Sequence, residues 1–170
     1  ATAGYANGDS PDHANYGDVC TGLTGFREAV RVEYDDTAIS LPHLLFAFFA
    51  VIDPETPKRQ GPDFGSQYQT GVYWTEPADE AIIRSIAALE ASAVPFFAVE
   101  LKPLTCFYPA EECHQRYLEK PPRGYCYVAP WQLEALPNYP FSTAVYNRPA
   151  KEVLRAGREA QISPLAVGPH

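Results

Sequence analysis

The chain has 170 residues, of which 46% are hydrophobic and 20% are charged, and its formal net charge is −8. This length and composition predict a globular protein with enough residues to bury a core. The negative charge argues against a surface that binds nucleic-acid phosphates, and no apolar run approaches the roughly 18 residues of a membrane-spanning helix. The sequence therefore predicts neither a nucleic-acid partner nor a membrane partner.

The first part of the chain contains two predicted elements after an irregular start. The Gly, Asn, Asp and Pro residues over 4–12 are typical of turns. Apolar and polar residues alternate over 29–34, which predicts a half-buried strand. Ser40 is expected to cap a helix whose first turn contains Pro42. The predicted buried face of that helix consists of Leu44, Leu45, Phe48 and Phe49.

The middle of the chain predicts strands that alternate with helices around one polar loop. Residues 59–68 form that loop, because two glycines and a proline fix an irregular backbone path. Strands are predicted over 70–74 and 96–101, a helix begins at 76–79, and a short helix lies within 109–118. The apolar stripe expected of the longer helix consists of Ile82, Ile83, Ile86 and Leu89. This alternation predicts an α/β or α+β fold.

The C-terminal part of the chain changes in character from residue 130 onward. Prolines recur at positions 137, 140, 149 and 164, and little periodicity remains apart from a predicted helix over 150–160. We therefore expect a domain over residues 1–128, followed by a C-terminal arm or linker over residues 129–170.

Three stretches of sequence carry a family resemblance. They are YGDVCTGLTGFRE at 16–28, RQGPDFGSQY at 59–68 with IDP shortly before it, and FYPAEECHQRYL at 107–118, which runs on to GYC at 124–126. In this order they resemble the motifs of the A-type peptide methionine sulfoxide reductases. The resemblance covers roughly residues 3 to 128.

The resemblance implies a fold and an activity. The fold would be the α+β two-layer sandwich of that family, an α/β arrangement with a mixed sheet and flanking helices, here without the first strand and helix. The activity would be thiol-dependent reduction of methionine sulfoxide, the S epimer at sulfur, to methionine. It implies no cofactor and no metal, and thioredoxin as the reductant.

The resemblance also assigns residues to the reaction. Glu28 matches the catalytic glutamate, which protonates the departing oxygen and whose pKa burial would raise. Tyr16, Asp63 and Tyr68 match the positions that bind the sulfoxide oxygen and assist proton transfer. Cys126 matches the resolving cysteine that forms an internal disulfide.

The residue types alone leave blander interpretations open. A glutamate before a strand is usually just solvated, and a buried tyrosine more often satisfies a core hydrogen bond. Cys126 could equally be a free surface thiol. Cys20 and Cys106 are expected to be packing cysteines, whereas Cys113 and His114 receive no catalytic role.

One departure from the family pattern bears on activity. The family nucleophile lies in a GCFW motif upstream of the catalytic glutamate, but only 27 residues precede Glu28 here and GCFW occurs nowhere. The chain also contains no methionine. We therefore expect an N-terminally truncated enzyme whose chain alone does not turn over, with one edge of the central sheet left open.

Two alternatives and a location complete the expectations. The chain could be a non-catalytic relic that binds methionine sulfoxide or a protein partner. A structural metal site could be built from Cys106, Cys113, His114 and Cys126, although their spacing resembles no usual zinc pattern. The cysteines form no CxxC pair, and no signal peptide is visible, so a reducing cytoplasm is expected.

Overall fold

The computed structural model describes residues 1–120, 124–139, 141–142 and 146–162. Both helices and strands are present, which confirms the α/β class. The strands are β1 (Thr2–Ala6), β2 (Arg27–Arg31), β3 (Arg59–Gln60), β4 (Asp63–Phe64), β5 (Gly71–Trp74), β6 (Glu100–Pro103) and β7 (Phe107–Pro109). The helices are α1 (Tyr16–Cys20), α2 (Leu41–Val51), α3 (Glu80–Ala91), α4 (Pro130–Ala135) and α5 (Ala150–Ile162).

The largest sheet contains three antiparallel strands in the order β2–β1–β7. Tyr5 at its centre lies opposite Glu28 on one side and Tyr108 on the other. The turn predicted over 4–12 was therefore wrong for residues 4–6, which belong to β1. Turn geometry starts only at Asn7, whose φ is 57°, because pairing with strands on both sides holds the preceding residues extended.

Two smaller sheets complete the strand arrangement. β5 and β6 are parallel, with Gly71 beside Glu100, and α3 forms the crossover between them. β3 and β4 form a two-residue hairpin. A side-chain bond joins the sheets, because the Arg27 guanidinium donates to the Glu100 carboxylate at 3.0 Å. The predicted strand over 96–101 begins later, at Glu100.

Helix α2 is the centre of the main hydrophobic core. Its predicted cap is confirmed, since the Ser40 side chain accepts from the backbone N–H of His43. The buried residues are Leu45, Phe46, Phe49 and Ala50, so the buried face is turned by about one residue from the predicted one. Packing against α3 on one side and α5 on another explains this difference.

Two further predictions differ from the structure. In α3 the buried residues are Ile83, Ala87 and Glu90, whereas Ile82 is exposed. The predicted short helix within 109–118 is replaced by strand β7 and the 3₁₀ turns Glu112–His114 and Tyr117–Glu119. Pairing with β1 keeps the start of this segment extended.

The C-terminal segment packs on the core rather than standing away from it. Ala150 and Leu154 of α5 are almost fully buried in the main cluster. The rings of Tyr139, Phe141 and Tyr146 surround Phe46 of α2 at centroid distances of 5.1, 5.1 and 5.5 Å. The predicted helix over 150–160 is present as α5. The domain boundary at residue 128 stays a prediction.

Among the residues that the structure describes, no helix combines the length and the apolar character that crossing a bilayer requires.

Candidate active site

Tyr16 lies at the first position of α1, at the edge of the three-stranded sheet. Asn15 caps this helix, because its side chain accepts from the backbone N–H of Asp18 at 3.1 Å. The Tyr16 ring is exposed and lies 4.8 Å from the His114 ring. The Tyr16 ring is therefore supported by His114 on one side and open to solvent elsewhere.

Glu111 fixes the start of α1 relative to the sheet. Its carboxylate accepts from the Tyr5 hydroxyl at 2.6 Å and from the Tyr16 backbone N–H at 2.8 Å. The hydrogen bond from Tyr5 contributes most to lowering the pKa of Glu111. The sequence analysis gave this residue no role, although it lies within the third matched motif.

Glu28 is the second residue of β2 and pairs with Tyr5 of β1. Although the residue as a whole is exposed, desolvation by the surrounding protein raises the pKa of its carboxyl. A hydrogen-bonding interaction with Tyr68 and the charge of His114 lower this pKa. The charge of Asp63 raises it further. The upward direction matches the sequence expectation and favours a carboxyl that can carry a proton.

Tyr68 closes the 3₁₀ turn Ser66–Tyr68, which positions it over β2. The Ser66 hydroxyl donates to the Gly22 carbonyl at 2.7 Å and so ties this turn to the loop after α1. Burial raises the pKa of Tyr68 to about 12, with further contributions from Glu28, Tyr16, Cys20 and Asp63. The phenol therefore stays a proton donor throughout the neutral pH range.

Gly65 is required where the loop approaches this turn. Its φ is 144°, and a Cβ atom built there would lie 2.2 Å from the Gln67 side chain. A side chain at position 65 would displace the turn that carries Tyr68.

Asp63 lies on the β3–β4 hairpin, beside the other groups. The hairpin is held by the Arg59 Nε, which donates to the Gly61 carbonyl at 2.7 Å, and by the Arg59 guanidinium over the Phe64 ring at 4.4 Å. The negative charge of Asp63 raises the pKa values of Tyr16, Glu28 and Tyr68. All three groups therefore lie within electrostatic range of Asp63.

Cys126 lies on a segment that packs against the same hairpin. Tyr127 contacts Gly61 so closely that a Cβ atom at Gly61 would lie 2.8 Å from the Tyr127 Cβ. Burial raises the pKa of Tyr127, and the charges of Cys126 and Asp63 add to this effect. Cys126 is half-buried and free. Because its neighbour Tyr127 contacts Gly61, Cys126 lies close to the hairpin that carries Asp63.

Cys20 corrects one sequence expectation. It was predicted to be a packing cysteine, but it is exposed at the end of α1. A hydrogen-bonding interaction with Cys20 contributes most to raising the pKa of Tyr16. Cys106 is half-buried, and its thiol lies 3.8 Å from the Gly8 carbonyl, as a packing role requires. All four cysteines are free.

The ligand-type side chains bear on the alternative of a metal site. Among the described residues, no group of three or more His, Cys, Asp or Glu side chains is placed to hold a metal ion. Cys106, Cys113, His114 and Cys126 all belong to the described part, and they do not form such a group.

The cluster formed by Tyr16, Glu28, Asp63 and Tyr68 can combine two kinds of chemistry. A carboxyl with a raised pKa can donate a proton to an oxygen atom that is becoming negative. Two phenols that stay protonated can donate hydrogen bonds to the same oxygen. The arrangement suits a substrate with a polar bond between an oxygen and a heavier atom.

Comparisons with known proteins give one consistent result. A family model described as peptide methionine sulfoxide reductase matches residues 1–138. Peptide methionine sulfoxide reductase MsrA of Clostridium perfringens is 47% identical over 126 residues, which cover 74% of this chain and 80% of that protein. MsrA of Mycoplasma pneumoniae is 44% identical over 128 residues, covering 75% and 81%.

Solved structures agree with these sequence matches. The reduced form of Mxr1 from Saccharomyces cerevisiae superposes with a TM-score of 0.68 at 39% identity, covering 74% of this chain and 72% of that one. Methionine sulfoxide reductase A of Corynebacterium diphtheriae gives a TM-score of 0.62 at 33% identity, covering 74% and 65%.

Proposed function

The chain belongs to the peptide methionine sulfoxide reductase family, A type, and we propose that the cluster around Glu28 binds and protonates the sulfoxide oxygen. The protein is an oxidoreductase that reduces the S epimer of methionine sulfoxide to methionine with thiols. One observation carries the site assignment. Tyr16, Glu28 and Tyr68 come from different parts of the chain, yet the turn that ends at Tyr68 packs against the strand that carries Glu28, and the charge of Asp63 raises the pKa of all three.

Each residue has a distinct role in the proposed site. Glu28 donates a proton to the sulfoxide oxygen while a thiolate attacks the sulfur. The hydroxyls of Tyr16 and Tyr68 donate hydrogen bonds to that oxygen, and Asp63 helps to keep Glu28 protonated because its charge raises the Glu28 pKa. The oxygen leaves the substrate as the hydroxyl of a cysteine sulfenic acid, and the substrate sulfur becomes a thioether.

Cys126 completes the proposed cycle. Its thiol attacks the sulfenic acid, so that a disulfide forms and water leaves. A dithiol protein of the thioredoxin class then reduces the disulfide, and a reducing cytoplasm is the compartment that suits this step. The position of Cys126 beside the hairpin that carries Asp63 supports this role.

The test measures the rate at which methionine sulfoxide is reduced with dithiothreitol as the reductant. Chromatography separates the methionine that is formed. The test is run on this chain and on the chain with a GCFW-containing segment added before residue 1, because GCFW is absent from the sequence. We expect the version with the added segment to reduce the S epimer, because the segment supplies the nucleophilic cysteine. Glu28→Gln in that version should lower the rate by about 10²- to 10⁴-fold.

Glu33→Gln provides the matched control, since Glu33 is an exposed carboxylate that follows β2 and pairs with Arg31 at 3.0 Å. It should leave the rate unchanged. Wild-type activity in Glu28→Gln would rule out the assigned acid. Inactivity of both lengths would favour the non-catalytic relic, and activity of the present chain would assign the nucleophile to one of its four cysteines.

A further inference from the structure

A cavity that shares no residue with the Glu28 cluster lies where α4 and α5 meet the C-terminal end of α2. Its volume is about 250 Å³, at the small end for ligand sites. The lining residues are Ala50, Val51, Trp131, Gln132, Lys151 and Arg155. The lining therefore combines apolar and aromatic side chains with two cations.

The walls of the cavity are fixed by internal bonds. The Gln132 amide nitrogen donates to the Ala50 carbonyl at 2.7 Å, which joins α4 to α2. Its amide oxygen accepts from the Ala129 backbone N–H at 3.1 Å. The Arg158 guanidinium covers the Trp131 ring at 4.7 Å and fixes the indole from the side of α5.

The two cations lie close to each other, Lys151 half-buried and Arg155 exposed. Lys151 and Arg155 are four residues apart on α5, and like charges at this spacing repel each other. Lys151 also lies in the first turn, where the helix dipole disfavours a positive charge. Burial contributes most to lowering the pKa of Lys151, and the charge of Arg155 lowers it further. The nearby carboxylates raise this pKa; they belong to Asp53, Glu55 and Glu90.

We propose that this cavity binds a small organic anion, with its carboxylate between Lys151 and Arg155 and its apolar body against Trp131, Ala50 and Val51. Charge complementarity selects the anionic head, and the indole and aliphatic wall select an apolar body. The family match ends at residue 138, so both cations lie on a helix outside the matched region. The inference does not depend on the reductase assignment.

Benzoate is a suitable probe, and the indole N–H signals of the chain's two tryptophans are a suitable readout. In a nitrogen-15 correlation spectrum, Trp131 reports on the cavity, and Trp74, buried elsewhere in the core, is an internal control. Benzoate should shift the Trp131 signal saturably and leave the Trp74 signal in place. Benzyl alcohol, which lacks the charge, and inorganic phosphate, which lacks the apolar body, should bind more weakly.

Substitutions then test the two cations. Lys151→Gln combined with Arg155→Gln should weaken benzoate binding by about tenfold or more. Arg155→Gln alone changes only an exposed residue and should give a smaller loss in a folded protein. The matched control is Arg84→Gln, which removes the cation over the Trp74 ring at 5.4 Å and should not change benzoate binding.

Several results would overturn the proposal. These are equal shifts of both tryptophan signals, an affinity that the double substitution leaves unchanged, or phosphate or benzyl alcohol binding as tightly as benzoate. None of these measurements requires turnover, so a failure here would leave the proposed reductase site untouched.

Discussion

The Glu90 carboxylate on α3 accepts a hydrogen bond from the backbone N–H of Ala150, the first residue of α5, at 2.8 Å. The same oxygen accepts from the Tyr146 hydroxyl, also at 2.8 Å. One buried side chain thus caps a helix that begins 60 residues further along the chain. This relationship fixes the C-terminal segment on the core.

Glu90→Ala should therefore loosen α5. The change leaves the Ala150 N–H and the Tyr146 hydroxyl without their acceptor, at a cost of about 2–3 kcal/mol in the free energy of unfolding. Glu90→Gln should cost less, because its amide oxygen can still accept. Urea denaturation gives the free energies, and hydrogen exchange should accelerate in α5. Glu80→Ala, on the exposed side of α3, is the control with a change below about 0.5 kcal/mol.

Phe46 should be the most costly position on α2 to truncate. It is 2% exposed and lies among three C-terminal aromatic rings, so Phe46→Ala should lower the free energy of unfolding by about 3–5 kcal/mol. Leu44→Ala, at a predicted core position that is only half-buried, should cost less than half as much. An equal or larger loss for Leu44→Ala in urea denaturation would contradict the observed orientation of the helix.

The pKa of Glu28 should respond in opposite directions to two neighbours. Asp63→Asn removes a negative charge and should lower it, whereas Tyr68→Phe removes a favourable interaction with the carboxylate and should raise it. Carbon-13 NMR titration of the carboxyl measures both shifts in the present chain, without any need for turnover. The Glu80 carboxyl is an internal reference, and identical Glu28 titrations in both variants would contradict the described cluster.

The free energy of unfolding should fall in acid because of the contact between Arg27 and Glu100, which joins the two sheets. Burial alone would raise the pKa of Glu100, but bonds from Arg27, Tyr73 and Lys102 hold it at about 2. The folded state therefore binds fewer protons than the unfolded one, and the contribution of Glu100 is present above about pH 4.5 and is lost as the pH falls towards 2. Because solvent screens part of this interaction, we expect a loss of about 1 kcal/mol.

Arg27→Gln tests this cause directly. It removes the bonds to Glu100 at 3.0 and 3.2 Å, so the free energy of unfolding should vary less between pH 4.5 and 2 than it does in the wild type. Arg84→Gln removes an exposed pair with Glu80 and should keep the wild-type pH dependence. A wild-type profile in Arg27→Gln would assign the acid sensitivity to other carboxylates.

Features that depend on neighbouring residues were predictable from the sequence. Ser40 and Pro42 specify the start of α2, because a cap and a first turn involve residues within three positions of each other. The three motif stretches likewise identified the family, which the comparisons confirm.

Only the tertiary structure decided the features that join distant segments. The residues around Tyr5 have turn-forming types, yet they form the central strand because β2 and β7 supply its hydrogen bonds from both sides. The buried side of α2 faces helices that lie far along the chain, and the Glu111 carboxylate meets Tyr5 across 106 residues. Local sequence cannot encode such contacts, because they depend on which surfaces bury apolar area together and on where the resulting polar groups find partners.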